Sequence, residues 1–194
     1  TISEVGKEAF SGASSLKSFD TSKIKVFAEK AFYECKALEA VDLSSATKIE
    51  LEAFFRCVSL DEVNFGSDLT LIGNRAFMYC TGLKEVVIPD NVTSLGTAAF
   101  MASYHLEKVT IGSGITAIPE DVFFYCEDMK EVTLNKGLTS IGKWAFFACD
   151  EIETINFNGT ASDWKAIVIG DPAEYENGAD KTNAILFEVT PSYK

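Results

Sequence analysis

A single histidine, His105, stands in the whole 194-residue sequence, so most metal and acid–base chemistry lacks its usual side chain. Basic residues are also scarce. The 17 Lys and Arg face 29 Asp and Glu, and the net charge of −12 does not favour nucleic acid or an anionic lipid surface as a partner. No hydrophobic run approaches the roughly 18 residues needed to cross a bilayer, and no charged-then-apolar leader opens the sequence. Yet 47% of the residues are hydrophobic, which excludes a disordered chain.

Phenylalanine recurs along the sequence at spacings of 22, 22, 23, 23, 23 and 23 residues. The seven positions are Phe10, Phe32, Phe54, Phe77, Phe100, Phe123 and Phe146. Alanine precedes six of them, and further apolar residues recur five positions before and six, nine and eleven positions after each. A unit this short cannot bury its own apolar face, so neighbouring units must stack. The spacing therefore predicts seven stacked coils over residues 2–160.

The fourth repeat shows what one coil contains. Ile72, Phe77 and Cys80 are spaced like one face of a short helix. From Leu83 to Ile88 the apolar residues alternate as they do in a strand. A strand of this pattern in a unit of roughly 20–29 residues is the leucine-rich repeat signature. The predicted fold is an α/β repeat: a solenoid of right-handed coils with a parallel β-sheet on one face and short helices or turns on the other.

The repeat also resembles a particular family. The pattern I-G-x-x-A-F-x-x-C-x-x-L-x-x-V-x-I-P, seen over residues 72–89 and echoed over 141–155, is similar to the BspA-type leucine-rich repeat. The resemblance covers residues 2–160, and residues 158–167 resemble an element that often follows the last repeat in bacterial members. It implies a bacterial protein that is secreted or attached to the cell surface, with a role in adhesion to host proteins or to other microbes.

The two ends of the stack need cover for their apolar faces. Ile2 already occupies a repeat position, so we expect further chain on the N-terminal side. Residues 161–194 are predicted to form a C-terminal capping segment. It would comprise a short helix begun by Thr160 or Ser162, with Trp164 and Ile167 covering the last coil, then a loop over 170–182 and a closing strand over 184–189. Trp144 in the last coil is expected to contact this segment. The acidic residues of the loop do not have the spacing of an EF-hand. They are Asp171, Glu174, Glu176 and Asp180.

All five cysteines occupy one column of the repeat, three residues after the phenylalanine. They are Cys35, Cys57, Cys80, Cys126 and Cys149, and the other two repeats have Ala13 and Ser103 there. A position that accepts Cys, Ala and Ser selects small size, so the prediction is a buried ladder of reduced thiols. Zinc is not expected, because the sequence has no C-x-x-C pair and no supporting histidine. No metal or cofactor is predicted, and His105 is expected at the surface without a catalytic role.

Side chains that point outward from the strands are the candidate binding residues, since leucine-rich repeats usually meet their partners there. The candidates are Glu39, Asp42, Asp61, Glu62, Glu85, Lys108 and Glu131. The acidic members from Glu39 to Glu85 do not alternate in sign with basic ones. They are interpreted either as a solvated face, or as a docking surface for a basic partner or a weak calcium site.

A second column, one residue after the phenylalanine, is largely aromatic or sulfur-containing. Its members are Ser11, Tyr33, Phe55, Met78, Met101, Phe124 and Phe147. Such a stripe indicates packing between coils on the back of the solenoid. If it is exposed, it marks a contact site instead.

The family resemblance implies a non-catalytic module that acts in adhesion outside the cell and binds a protein or a glycan of a host or of other microbes. It is expected to be a monomer. The alternative is a structural spacer within a larger surface protein. An enzyme is disfavoured, because the repeat columns offer no nucleophile, base and orienting group that would meet in one pocket.

Overall fold

The fold is a β-solenoid of stacked coils in the computed structural model, which describes residues 2–170 and 185–193. Coils one to seven are numbered here by their phenylalanine, from Phe10 to Phe146. A two-residue strand precedes the phenylalanine of every coil, and coils two to seven have a longer strand after it. The short strands are β1 (Glu4–Val5), β2 (Val26–Phe27), β4 (Lys48–Ile49), β6 (Leu71–Ile72), β8 (Ser94–Leu95), β10 (Ala117–Ile118), β12 (Ser140–Ile141) and β14 (Val168–Ile169). The long strands are β3 (Ala40–Leu43), β5 (Glu62–Phe65), β7 (Glu85–Ile88), β9 (Lys108–Ile111), β11 (Glu131–Asn135) and β13 (Thr154–Asn158).

Every strand pair is parallel and joins equivalent residues of successive coils, so the repeat columns of the sequence become rows of neighbours in space. Val86 pairs with Val109, and Val109 with Val132. Two sheets result, one of short strands and one of long strands. Each is interrupted once: the short strands separate between β8 and β10, and the long strands between β5 and β7.

The core is a column of phenylalanine rings that runs through all seven coils. Successive ring centroids from Phe10 to Phe146 lie 5.0, 5.4, 5.2, 5.3, 5.8 and 5.3 Å apart in stacked orientation. Six of the rings are almost fully buried, and Phe10 in the first coil is half-buried. The predicted stacking of repeats on a shared apolar spine is confirmed.

The short helices predicted within the coils do not form. Around each phenylalanine the chain makes tight turns instead, because the residues two before and two after it have φ between 53° and 76° in every coil. These left-handed residues end any α-helix, and the freed backbone groups bond to the next coil: the Phe32 N–H donates to the Ala53 carbonyl at 2.7 Å. Coil one has no long strand after its phenylalanine. There the Asp42 N–H of coil two donates to the Thr21 side-chain hydroxyl at 2.8 Å and not to the backbone carbonyl of a neighbouring strand.

The C-terminal residues extend both sheets. Helix α1 (Ala161–Ala166) begins with a capping box at Thr160, the first of the two predicted caps, and the Trp164 ring contacts Phe157 at 5.4 Å between centroids. Strand β14 then pairs with β12, and β15 (Ser192–Tyr193) pairs with β13.

The closing strand predicted over 184–189 is wrong. Residues Ile185–Glu188 form a single helical turn, α2, which buries Leu186. The expected loop over 170–182, apart from Gly170, lies outside the described residues. The expected contact of Trp144 with the segment 161–194 stays a prediction. The capping role of 161–194 therefore stays a prediction.

Candidate functional site

The outward face of the long strands is a regular array of side chains. In β3 and β7 the exposed and buried residues alternate strictly, which places Ala40 and Asp42 outside and Val41 and Leu43 inside. Because the strands are in register, Glu62 lies beside Ala40, and Lys108 lies between Glu85 and Glu131. We call this array the strand face. Its columns were predicted from the repeat. The burial patterns of the strands confirm that they face outward, although Lys108 and Glu131 are only half-exposed.

Three of the seven predicted binding residues form ion pairs with neighbouring coils. Lys17 Nζ lies 3.3 Å from Glu39 Oε1, and Lys108 Nζ lies 3.4 Å from Glu131 Oε2. Glu131 also accepts a hydrogen bond from the Asn156 side chain at 3.0 Å. The charges of coils five to seven on this face are thus largely compensated within the protein.

The other four predicted residues, Asp42, Asp61, Glu62 and Glu85, are all exposed. Among the ion pairs of residues 2–170 and 185–193, none includes any of them. The Ser44 hydroxyl and backbone N–H bond to the Asp42 carboxylate and lower its pKa, so that it stays charged. Coils two to four therefore present an uncompensated negative region.

A groove lies within this region, where β5 and β7 are not hydrogen-bonded to each other. Its volume is about 420 Å³. The lining residues are Glu62, Val63, Asn64, Phe65, Ser67, Glu85, Val87 and Pro89. The apolar members were not predicted as site residues. The available signals were Phe65 in a column that otherwise holds mostly aliphatic residues, and Val87 among polar outward residues.

The five cysteines are free and fully buried, which confirms the predicted thiol ladder. The structure adds a role that small size did not predict: each Sγ donates to the carbonyl of the phenylalanine in the preceding coil. Cys80 Sγ lies 3.1 Å from Phe54 O, and Ser103 Oγ makes the same bond to Phe77 O at 3.2 Å. Burial raises the pKa of all five thiols, to about 11 for Cys35 and about 12 for Cys149. Protonated thiols in the core are poor nucleophiles.

His105 is exposed as predicted, and its Nδ1 lies 2.8 Å from Asp128 Oδ2 in the next coil. The buried cysteines are turned away from it. Within residues 2–170 and 185–193, no group of three or more His, Cys, Asp and Glu side chains is placed to hold a metal ion. In the same part of the chain no helix has the length and apolar character of a membrane span.

The aromatic column one residue after each phenylalanine packs between coils, as the first of its two interpretations held. The Tyr33 and Phe55 rings stack at 4.8 Å between centroids, and so do those of Phe124 and Phe147. All members from Tyr33 onward are half-buried.

Comparison with protein families settles the class of the repeat. The family model described as "BspA type Leucine rich repeat region" matches six copies, over residues 1–81 and 47–168. The chain belongs to the BspA-type leucine-rich repeat family. No curated protein matches it significantly.

Solved structures of bacterial leucine-rich repeat proteins share the fold. The T. pallidum leucine-rich repeat protein TpLRR is 28% identical with a TM-score of 0.72, over 78% of this chain and 72% of TpLRR. A leucine-rich repeat protein from Bacteroides ovatus is 20% identical with a TM-score of 0.58, over 90% of this chain and 56% of its own length. The pneumococcal vaccine antigen PcpA is 21% identical with a TM-score of 0.60, over 80% of this chain and 41% of its own.

Proposed function

We propose that this chain is a non-catalytic module of a secreted or cell-surface bacterial protein. We propose further that its acidic strand face binds a basic surface of a protein partner. The leucine-rich repeat family implies a protein-binding repeat module. The likeness to a pneumococcal vaccine antigen supports a location at the surface or outside the cell. Adhesion to host proteins or to other microbes is the role this placement would serve.

One observation carries the choice of the binding face. The four carboxylates of Asp42, Asp61, Glu62 and Glu85 are exposed without an ion pair, whereas charges elsewhere on the strand face are paired between coils. Unpaired like charges on neighbouring strands destabilise a sheet. A partner with positive charges removes that repulsion and is steered toward the face by the field of a −12 protein.

A binding array tests the proposal. The full chain is applied to purified secreted and extracellular-matrix proteins and to glycans, at low and at high salt. We expect binding to proteins with basic surfaces, weakened by salt. The variant Asp42→Lys, Glu62→Lys, Glu85→Lys should lose this binding. The matched control Glu8→Lys, Glu120→Lys, Glu127→Lys makes the same change in net charge at exposed positions outside the long strands, and should keep it.

Two outcomes would contradict the proposal. If both triple variants lose binding equally, attraction depends on net charge and not on the strand face. If the strand-face variant folds normally and keeps every interaction of the wild type, the face is not the binding surface. The second outcome favours the alternative function, a structural spacer.

A further inference from the structure

The long strands β5 and β7 are neighbours whose backbones do not bond. From coil four to coil seven, the carbonyl just before a long strand accepts two N–H groups of the next coil: Lys84 O accepts from Glu107 N at 2.8 Å and from Lys108 N at 3.1 Å. Between coils two and three, Glu39 O accepts one, from Asp61 N at 3.3 Å. Within the part of the chain described, no such bond joins Lys84 N or Glu85 N to Asp61 O. The N-terminal ends of β5 and β7 are thus not joined by the backbone hydrogen bonds seen between later coils.

At the C-terminal ends of β5 and β7 a backbone hydrogen bond is missing for a chemical reason. In coil three, Gly66 N donates to the Leu43 carbonyl of the coil before at 3.2 Å. The equivalent residue of coil four is Pro89, which has no N–H to give to Phe65. Coil three is also the first whose phenylalanine lies 23 residues from the next, against 22 before it. The sheet therefore opens where the repeat lengthens and a proline ends the strand.

The opening exposes apolar surface in the middle of the strand face. Phe65 is only half-buried, although the equivalent residues Leu43 and Ile88 are buried. Val87 is 51% exposed. The groove volume of about 420 Å³ lies in the lower part of the ~300–1000 Å³ range of ligand pockets. The groove can therefore accept one long side chain.

Two carboxylates and no basic group line this groove. Glu62 and Glu85 occupy the same outward column on adjacent strands, so their like charges face each other. The next residue of that column, Lys108, lies beside Glu85 in register, but its ammonium group forms its ion pair with Glu131, at 3.4 Å. The Asn64 side chain donates to Glu62 Oε1 at 2.8 Å but supplies no positive charge.

We propose that the groove between β5 and β7 receives the side chain of an arginine from the protein partner. This inference rests on the proposed function and narrows it to one contact. The guanidinium group donates to Glu62 and Glu85, and the aliphatic part of the side chain packs on Val87 and Phe65. Arginine fits better than lysine, because its five N–H donors form a planar fork that bridges two carboxylates and its weakly hydrated face tolerates an aromatic ring.

A titration with a minimal probe tests this contact. The peptide acetyl-Gly-Arg-Gly-amide is added to the full isotope-labelled chain and followed by the NMR shifts of backbone amides. We expect saturable shifts concentrated in Glu62–Phe65 and Glu85–Ile88. The citrulline peptide has almost the same shape without the charge, and should bind about tenfold more weakly or not at all, as expected for loss of charge-assisted hydrogen bonds.

Variants separate the groove from the acidic surface in general. Glu85→Gln should weaken binding of the arginine peptide by about tenfold, whereas Glu127→Gln, at an exposed carboxylate outside the long strands, should leave it unchanged. Equal binding of the citrulline peptide, better binding of a lysine peptide, or shifts spread over all acidic residues would overturn the proposal. If the array binding survives Glu85→Gln and still fails in the strand-face triple variant, the proposed function stands and this inference falls.

Discussion

At the scale of the residue, the cysteine column shows how one position meets two requirements. The side chain must be small, and it must donate to the carbonyl of the phenylalanine in the coil before. Cys149 makes this bond to Phe123 O at 3.1 Å, and Ser103 replaces the thiol by a hydroxyl without changing the partner. Ala13 occupies the same position in coil one. Burial of the donor keeps the thiol protonated.

The raised pKa of Cys149 predicts a dependence of stability on pH. Its pKa is about 12 in the folded protein, against 9.0 for an ordinary thiol. Between these values the unfolded chain loses the proton and the folded chain keeps it, so the free energy of unfolding should fall as pH rises above 9, by up to about 1.4 kcal/mol per pH unit. Below pH 8 this thiol contributes no such slope.

The variant Cys149→Ser removes the titrating group and keeps the hydrogen bond. We expect urea midpoints of wild type and variant to run parallel from pH 6 to 8 and to converge or cross as the wild type loses stability above pH 9. Parallel curves up to pH 10.5 would show that the thiol ionises equally in both states and is not buried as described.

Burial by column was predictable from the sequence, whereas the donor role of the cysteines was not. Alternation along a strand has a period of two, so the position of Val86 and Ile88 in the core follows from their spacing. Cys, Ser and Ala share small size, and that shared property concealed the hydrogen bond. The restriction of this column to Cys and Ser in coils two to seven was the available signal.

At the scale of the element, the turns around the phenylalanines replace the predicted helices. Glu34, Arg56 and Tyr79 have left-handed backbones although none is glycine. These residue types carry no sequence signal for such a conformation, so the apolar spacing was read as a helix face. The backbone adopts it because Arg56 N and Tyr79 N then bond to the carbonyls of the next coil, at 2.8 and 2.9 Å.

Substitution by glycine should distinguish the turn from a helix. Ala148 has φ +58°, and Gly12 occupies the same column in coil one. Relief of left-handed strain exceeds the entropic cost of glycine, so Ala148→Gly should stabilise the protein by about 0.5–1 kcal/mol. Ala145 is buried and is not left-handed, so Ala145→Gly should destabilise it by about 1 kcal/mol or more.

Chemical denaturation measures both variants under one set of conditions. A helix over these residues would be weakened by glycine at either position. Destabilisation of the same size in Ala148→Gly and Ala145→Gly would therefore contradict the turn.

Proline marks both interruptions of the sheets. Pro119 follows β10 as Gly142 follows β12. Gly142 N donates to the Ile118 carbonyl at 2.8 Å, but Pro119 has no N–H, so the equivalent bond to the Leu95 carbonyl is missing. Pro89 has the same effect between β5 and β7. Proline was visible in the sequence, but its consequence depends on which backbone groups face the next coil, and this is known only once the register is known.

At the scale of the whole molecule, each coil is stabilised by its neighbours. Phe77 lies 5.2 Å from Phe54 and 5.3 Å from Phe100, while among the described residues Phe10 stacks on one repeat phenylalanine, Phe32. Ion pairs such as Lys7 with Glu29 also join successive coils, but they are exposed and contribute little. The stability of such a stack is approximately a sum of coil terms and interface terms.

The loss of one ring should therefore have a consequence that depends on its place in the stack. Phe77→Ala removes contacts on two interfaces and should lower the free energy of unfolding by about 3–5 kcal/mol. It should also weaken the coupling between coils one to three and coils five to seven, so that the urea transition broadens and its apparent m-value falls. Phe10→Ala affects one interface and a half-buried ring, so its cost should be about half as large with an unchanged m-value. Urea titrations followed by circular dichroism measure both quantities, and equal shifts with equal slopes for the two variants would mean that the protein unfolds as one unit without regard to the order of its coils.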